Sequence, residues 1–411
     1  MCRLGETTKF ELVSVSYGDK SKELNGFLGD HFHVHVTVMV DGQQNYQELK
    51  FFIKTLPKGE GYYAQFVSST DAFLKEVAVY SDIFERFRKY GLIPRCQEEF
   101  PWAPQCYFTR SDVLVLEDLV AAGFELSDRE EYMDYSLCEL VLIALARFHA
   151  ASIIYEEKES QISGKACKLN ELCSDVCFEI SFIRSGKSQL QFWFQTGVKT
   201  FLRLISMSKK YGEDSEWFGK ILDSYQDKCE LMFNYVQPSD KYRNVICHGD
   251  MWPSNLMFRY ASDREKPVEV RLLDFQVFRY APPALDVMMF LHMVTSREFR
   301  RDHLEKLLAM YHQRLESELQ ENDVPILQWE EFRESCNYYS GAARIMAPCF
   351  HQIYLVPTNI LTPVLSTEDS FKKFWLCDRD TVAQRCFQEV PNYRTRLTED
   401  IEEFMEYFFK F

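Results

Sequence analysis

The sequence lacks several patterns that would assign it to other classes of protein. Its 13 cysteines include no Cys-x-x-Cys pair, so neither a zinc site nor a thioredoxin-type motif is indicated. It has no Asn-x-Ser/Thr sequon, and its first ten residues contain no apolar signal-peptide core. Gly186-Lys187-Ser188 ends like a Walker A motif, but Ser181 stands where the first glycine is needed. Free thiols in a cytoplasmic protein are the simplest interpretation.

Positive charge is also scarce in this chain. The 47 Lys and Arg residues against 62 Asp and Glu give a net charge of −15, which disfavours a nucleic-acid partner. ATP is not excluded, because magnesium and one or two lysines can offset its charge locally. The most apolar stretch, residues 137–155, contains Arg147 and His149 and is shorter than the ~20 apolar residues of a membrane span. No membrane span is therefore expected, and no protein partner is implied.

Length and pattern together predict two lobes of different composition. The 411 residues exceed the roughly 250–300 at which a single core stops growing. Up to about residue 120 the chain alternates short strands with one helix, and beyond it the pattern is mainly helical. We therefore predict an α+β protein with a small β-rich N-lobe at 1–117 and a larger, mainly helical C-lobe at 118–411. The capping-box spacing of Ser127 and Glu130 predicts a long helix to about Ser152, and the polar stretch 156–170 predicts a loop.

A lysine and a glutamate of the first lobe are candidates for an ion pair. Lys54 ends a predicted strand and shares one strand face with Lys50 and Phe52. Glu76 lies within the apolar stripe of the following helix, where an unpaired buried charge would cost several kcal/mol. Lys54 would remove that cost as a partner, and kinases use such a Lys–Glu pair to position phosphates. Alternatively, Glu76 lies at the edge of the stripe and both side chains are exposed.

The pattern with the most chemical content lies in the second half of the chain. The predicted strand 245–247 leads into His248-Gly249-Asp250, Asn255 follows five residues later, and a predicted hairpin, residues 256–273, returns the chain to Asp274. Phosphoryl transfer needs a carboxylate that accepts the proton of the attacking hydroxyl, and oxygen ligands that hold magnesium. Asp250 suits the first role, and Asn255 and Asp274 suit the second. Each short motif alone is common, but the joint pattern predicts a magnesium- and ATP-dependent kinase.

Together these motifs resemble the ecdysteroid kinase-like family of insects, within the choline- and aminoglycoside-kinase-like group. The matching segments are residues 51–57, 73–80, 115–119, 145–152, 248–255 and 274–286. The resemblance implies a bilobal protein-kinase-like fold in which Lys54 binds ATP phosphates and pairs with Glu76. It also implies that the backbone from Glu117 to Leu119 meets the adenine. Asp250 would be the catalytic base, and Asn255 and Asp274 the magnesium ligands.

The loop at Gly26-Phe-Leu-Gly29 departs from the family pattern, because it lacks the full glycine set and the nearby serine. Gln276 stands where protein kinases have glycine, so a small-molecule acceptor is expected rather than a protein. Helices carrying aromatic residues at 178–194 and 345–355 favour a lipophilic alcohol, such as an ecdysteroid or a plant-derived xenobiotic. The alternatives are a kinase of a cationic choline- or aminoglycoside-type molecule and a pseudokinase that binds a small lipophile. His149 is interpreted as structural, and Asp286 as an N-cap or a brace for the catalytic loop.

Overall fold

The computed structural model describes residues 10–18, 29–40, 46–59, 62–93, 102–128, 131–184, 188–262, 264 and 266–410. Residues 26–28, Glu130 and residues 186–187, which carry parts of the predictions above, lie outside these ranges. The strands of the described ranges are β1 Phe10–Tyr17, β2 Asp30–Val40, β3 Tyr46–Thr55, β4 Cys106–Arg110, β5 Val113–Glu117, β6 Phe124–Leu126, β7 Val245–Cys247, β8 Leu256–Tyr260, β9 Pro267–Leu272 and β10 Arg279–Ala281.

Helices alternate with the strands at first and then dominate the chain. The α-helices of the described ranges are α1 Tyr62–Ser69, α2 Ala72–Ala78, α3 Phe84–Lys89, α4 Tyr135–Ser163, α5 Leu169–Leu172, α6 Gln189–Ser206, α7 Phe218–Glu230, α8 Met232–Tyr235, α9 Ala284–Val294, α10 Arg297–Glu321, α11 Trp329–Tyr354, α12 Thr358–Val364, α13 Glu368–Lys372, α14 Asp380–Glu389 and α15 Pro391–Phe408. Two π-helical turns, Val79–Ile83 and Lys373–Cys377, connect neighbouring helices.

The chain forms two compact units, and each is described by itself. The first consists of Met1–Ser127 and Ser254–Gln276, and the second of Asp128–Pro253 and Val277–Phe411. Sheets dominate the first unit and helices the second, which confirms the predicted α+β class. The hairpin of β8 and β9 belongs with the first unit, although it follows the predicted lobe boundary by more than a hundred residues. The assignment of residues 1–117 and 118–411 to two functional lobes stays a prediction.

The first unit contains a five-stranded antiparallel sheet in the order β1-β2-β3-β5-β4. Its register sets Lys54 of β3 opposite His31 of β2 and Leu114 of β5. Because directly opposed residues share a face, and because the side-chain period is two, Phe52 lies on the same face as Lys54. The face of Lys50, Phe52 and Lys54 predicted from the sequence is thus confirmed.

The predicted first-lobe helix is confirmed, with one irregularity. It consists of α2, the turn Val79–Ile83 and α3, and the apolar residues of its predicted stripe are all buried. The helix ends before Gly91, which adopts a left-handed φ of 71° and whose amide donates to the carbonyl of Arg88. Tyr80 and Phe84 of this helix pack against Phe275, which follows the β8–β9 hairpin.

The long helix of the second unit differs from its prediction at both ends. α4 begins at Tyr135, because the Asp134 side chain accepts a hydrogen bond from the Leu137 amide, and not at Ser127. It continues to Ser163, so the first half of the predicted loop 156–170 is helical. The helix is long and apolar enough to cross a membrane, contrary to expectation, but 72% of its apolar window is buried. Such burial is typical of a central core helix.

The aromatic region after α4 is only partly helical. Phe178 and Phe182 lie in bends and irregular structure, so the helix predicted at 178–194 is wrong for these two residues. Phe182 packs with Phe194 of α6 and Phe233 of α8, with ring centroids 5.1 and 6.0 Å from its own. These three rings belong to the core of the second unit. The long helices α10, α11 and α15 confirm the prediction that the chain is mainly helical beyond about residue 120.

Candidate active site

Lys54, Glu76 and Asp274 form a cluster in the first unit. The Lys54 Nζ lies 2.8 Å from a carboxylate oxygen of Glu76 and also donates to the carboxylate of Asp274. Glu76 is only 1% exposed, because it belongs to the buried stripe of α2. The ion pair predicted between Lys54 and Glu76 is therefore formed, and the alternative of two exposed side chains is wrong. Residues from a strand, a helix and the end of the β8–β9 hairpin meet here.

Burial and charge act in opposite directions on this cluster. Burial lowers the pKa of Lys54, but the carboxylates of Asp274 and Glu76 outweigh it, so the pKa lies above its ordinary value. Burial raises the pKa of Glu76, and the Lys54 ammonium opposes that shift. Gln276 also donates from its amide to Glu76, over 3.2 Å. Lys54 therefore keeps its positive charge at neutral pH and can bind an anion.

A cavity of about 390 Å³ extends from this cluster along the sheet. The β5 strand and the segment that follows it close its far end, and Glu117 and Leu119, the predicted adenine-binding residues, both line it. The Glu117 amide donates to the carbonyl of Gln105, over 2.8 Å, which fixes the strand end. Among the described residues, none accepts a hydrogen bond from the Leu119 amide. The cavity thus has the Lys54 ammonium between two carboxylates at one end, apolar side chains in the middle and an available backbone donor at the other end.

The two predicted metal ligands lie at adjoining ends of the hairpin. The amide of Leu273 donates to the backbone carbonyl of Asn255, over 2.9 Å, so Asn255 lies beside the residue preceding Asp274. Asp274 has a φ of 61°, a conformation that non-glycine residues rarely adopt and that is common at functional sites. An amide oxygen and a carboxylate are the hard oxygen ligands that Mg²⁺ prefers, so this pair fits the ion.

The loop with the predicted catalytic base belongs to the second unit. Asp286, in the first turn of α9, accepts hydrogen bonds from the backbone amides of His248 and Gly249. Burial would raise the pKa of Asp286, but His149, which bonds it over 3.1 Å, and the amides outweigh burial, so the pKa is lowered. The brace predicted for Asp286 and the structural role of His149 are confirmed. The meeting of Asp250 with Asp274 stays a prediction.

Gly249 explains why this loop has His-Gly-Asp rather than His-Arg-Asp. It adopts a φ of 82°, and a Cβ atom built on it would lie 2.4 Å from the carbonyl oxygen of Val277. A side chain would therefore clash with backbone in a conformation that already disfavours it.

An aromatic wall lies next to Asp250 along the chain. Its ring centroids are separated by 4.9 Å between Trp193 and Phe350 and by 5.9 Å between Phe350 and Trp252. The Trp252 amide donates to the Asp250 carbonyl, over 3.1 Å. The two segments predicted to line the acceptor pocket thus contact each other through Trp193 and Phe350. The guanidinium of Arg379, a fully buried residue, lies 5.6 Å from the centroid of the Trp193 ring.

The sequence reasoning gave no role to His33, to Tyr80 or to the side chain of Asp118. His33 of β2 bonds the buried carboxylate of Asp118, and Tyr80 presents a buried hydroxyl that has no partner among the described residues. All three line the cavity. The alternation of His31, His33 and His35 was a signal for the first, because it sets them on one strand face.

Sequence comparison identifies the family of the chain. The pattern of the ecdysteroid kinase-like family matches residues 23–323, more than half of the chain. The chain therefore belongs to this family, which is one of small-molecule kinases. No protein of curated function matches the chain in sequence.

Solved kinase structures are also similar to the chain. A Plasmodium vivax ethanolamine kinase is 12% identical with a TM-score of 0.35, covering 95% of this chain and 83% of its own. A microcompartment-associated aminopropanol kinase is 10% identical with a TM-score of 0.45, covering 96% and 93%. The GDP complex of an aminoglycoside 2′-phosphotransferase is 11% identical with a TM-score of 0.36, covering 96% and 94%. The assignment to the family rests on the sequence match.

Proposed function

We propose that this protein transfers the γ-phosphate of ATP to a hydroxyl group of a lipophilic alcohol, such as an ecdysteroid or a plant-derived xenobiotic. The observation that supports it most is the cavity of the first unit, with the Lys54 cluster at one end and the Leu119 amide at the other. A nucleotide bound with Mg²⁺ suits this cavity, because its aromatic base has hydrogen-bonding edges and its phosphates would meet the Lys54 ammonium, while the ion would offset the charge of Asp274. The volume of about 390 Å³ lies within the range of small-molecule sites.

The residues of the cluster have distinct tasks in this proposal. Lys54 binds the α- and β-phosphates, and Glu76 holds its ammonium in position. Asn255 and Asp274 hold Mg²⁺, which when bound neutralises negative charge on the β- and γ-phosphates. Lys54 and Mg²⁺ both use Asp274, so the contact between Lys54 and Asp274 seen here is expected to loosen when the ion is present.

Asp250 acts on the acceptor. Its carboxylate orients the acceptor hydroxyl and takes its proton while the hydroxyl oxygen bonds to the γ-phosphorus. The bond between the γ-phosphorus and the oxygen that joins it to the β-phosphate breaks, and ADP leaves. Asp286 keeps the loop in a fixed shape through the amides of His248 and Gly249. A loop of fixed shape contributes to the rate, because it holds the reacting atoms in the geometry that the transfer requires.

The aromatic wall favours a neutral acceptor over a cationic one. Trp193, Phe350 and Trp252 offer ring surfaces on which an apolar skeleton packs. A choline-type cation would also suit aromatic rings. However, the guanidinium of Arg379 already lies over the Trp193 ring, and its pKa, lowered by burial to about 10, leaves it charged at neutral pH. Like charges repel in such a buried setting, so the wall suits an uncharged alcohol better.

The test is an ATP-dependent phosphorylation assay over a mixed panel, read by mass spectrometry of the products. The panel contains ecdysteroids, plant phenol glycosides, choline and aminoglycosides, and Asp250→Asn controls for contaminating kinases. The proposal is supported if phosphorylated ecdysteroids or plant alcohols form in the wild-type reaction and not in the Asp250→Asn reaction. Products confined to choline or aminoglycosides overturn the neutral acceptor, and nucleotide binding without any product favours a pseudokinase.

A further inference from the structure

The register of the sheet divides the cavity into two rows of side chains. The first row contains Lys54 with His31 opposite it. The second contains Phe52 with His33 on one side and Leu116 on the other. The rows are separated by two residues along β3, roughly 7 Å. Since β5 ends at Glu117, the second row lies nearer to the hinge segment that follows it.

This arrangement fixes which part of a nucleotide each row would cover. Phosphates must lie at Lys54, which the first row contains, and the base must lie toward Leu119. The second row therefore covers the base. His33 and Phe52 are the two rings of that row, and their centroids are 5.5 Å apart at an interplanar angle of 69°. Both side chains line the cavity.

His33 is held from outside the sheet by a buried carboxylate. Its Nδ1 donates to an oxygen of Asp118 over 2.7 Å, and the Asp118 side chain is only 3% exposed. The other oxygen of Asp118 accepts from the Ala121 amide, over 3.0 Å. Asp118 thus connects the imidazole above the cavity with the turn that follows the hinge. A ring fixed by both Phe52 and Asp118 loses little freedom when a base packs on it.

We propose that His33 and Asp118 form a purine clamp, in which the imidazole of His33 packs on the base and Asp118 holds it in position relative to the hinge. The clamp rests on the proposed nucleotide function of the same cavity. It assigns His33 as a residue that contacts the base and Asp118 as the positioning residue, and it gives this chain a base contact outside the loop at Gly29. The hydroxyl acceptor and the phosphates are not part of it.

The test compares the binding of ADP and of inorganic tripolyphosphate by isothermal titration calorimetry. Tripolyphosphate has the charge of the nucleotide but no base. Loss of base stacking is worth about tenfold in affinity or more, so His33→Ala should weaken ADP binding about tenfold and leave tripolyphosphate binding unchanged. His33→Phe keeps a ring and should retain most of the affinity, whereas Asp118→Asn should lie between them. In turnover, His33→Ala should raise the KM for ATP with little change in kcat.

His35→Ala is the matched control, because His35 lies on the same strand and face but beyond the cavity, near Glu48. It should bind both ligands as the wild type does. Equal weakening of ADP and tripolyphosphate by His33→Ala, or ADP binding that His33→Ala leaves unchanged, overturns the clamp alone. Failure of the wild-type protein to bind ADP overturns the nucleotide site, and the clamp with it. Similar thermal unfolding of His33→Phe and wild type would show that the fold is intact.

Discussion

At the scale of single residues, Lys54 is the counter-charge of the candidate site. It bonds two carboxylates, so its removal leaves Glu76 and Asp274 without this counter-charge. We expect Lys54→Met to weaken ADP binding strongly and Glu76→Gln to weaken it less, because Lys54 still bonds Asp274. The double variant should lose little beyond Lys54→Met, with a coupling of about 0.5–3 kcal/mol in a double-mutant cycle on ADP affinity.

Lys50→Met is the matched control for this cycle. Lys50 shares the strand and the face of Lys54, but it is exposed and lies near Glu48. It should bind ADP as the wild type does. Additive effects of Lys54→Met and Glu76→Gln would contradict a shared role in nucleotide binding.

A substitution of Asp250 should lower turnover without changing the affinity for the nucleotide. Asp250 belongs to the second unit and is absent from the cavity lining, so Asp250→Asn should keep the affinity for ADP. Loss of a general base costs on the order of 10²–10⁴ in rate, so turnover should fall by that factor. Calorimetry measures the first quantity and product formation the second. Wild-type turnover in the variant would rule out Asp250 as the base.

At the scale of secondary structure, Gly249 determines whether the catalytic loop can keep its shape. Gly249→Ala would put a Cβ against the Val277 carbonyl at a positive φ. Such strain costs roughly 1–3 kcal/mol, so we expect a loss of stability in this range together with a fall in kcat. Urea unfolding and steady-state kinetics measure the two effects.

Gly219→Ala serves as the control for that substitution. Gly219 lies in α7, and a Cβ there meets nothing within 4 Å. The change should be neutral or stabilise the helix by up to ~1 kcal/mol. A Gly249→Ala variant as stable as Gly219→Ala would mean that the loop adapts without strain.

Strands and helices whose apolar residues recur at a regular spacing were predictable from the sequence. Polar stretches whose side chains bond residues elsewhere in the chain were not. β7 and the β8–β9 hairpin were found because their apolar residues form continuous or alternating runs. The end of α4, from Glu156 to Ser163, reads as a polar loop, yet Glu156 is buried. It accepts from the Leu169 amide and the Tyr280 hydroxyl and bonds Arg243. Those partners are distant in sequence, so local pattern could not reveal that the helix continues.

The same limit applies to the candidate site. The pair of Lys54 and Glu76 was predictable because a carboxylate within an apolar stripe needs a partner. The contact of Lys54 with Asp274 spans 220 residues, and that of His33 with Asp118 spans 85. Both depend on how the elements of the first unit pack, including the register among β2, β3 and β5, which the sequence alone does not specify.

At the scale of the whole molecule, pH should affect the second unit through a buried histidine. His292 of α9 is 4% exposed, and its Nδ1 donates to the Met288 carbonyl over 2.9 Å. Burial, with added repulsion from Arg300 and Arg344, holds the pKa of His292 well below its usual value of 6.5. The imidazole is therefore neutral in the folded protein at neutral pH, while the unfolded chain takes up a proton below pH 6.5.

The sign of the resulting effect follows from this difference. Below pH 6.5 the unfolded state binds a proton at His292 that the folded state does not bind. The free energy of unfolding is therefore at its full value above that pH and decreases as the pH falls. Lowering the pH one unit below 6.5 should cost about 1.4 kcal/mol. We expect urea unfolding at pH 5.5 to show this loss relative to pH 7.5, and His292→Leu to reduce it by about that amount. His303→Leu, on the neighbouring helix α10 and partly exposed, should retain the wild-type pH dependence. An identical pH dependence in wild type and His292→Leu would show that His292 remains neutral in both states or is charged in both.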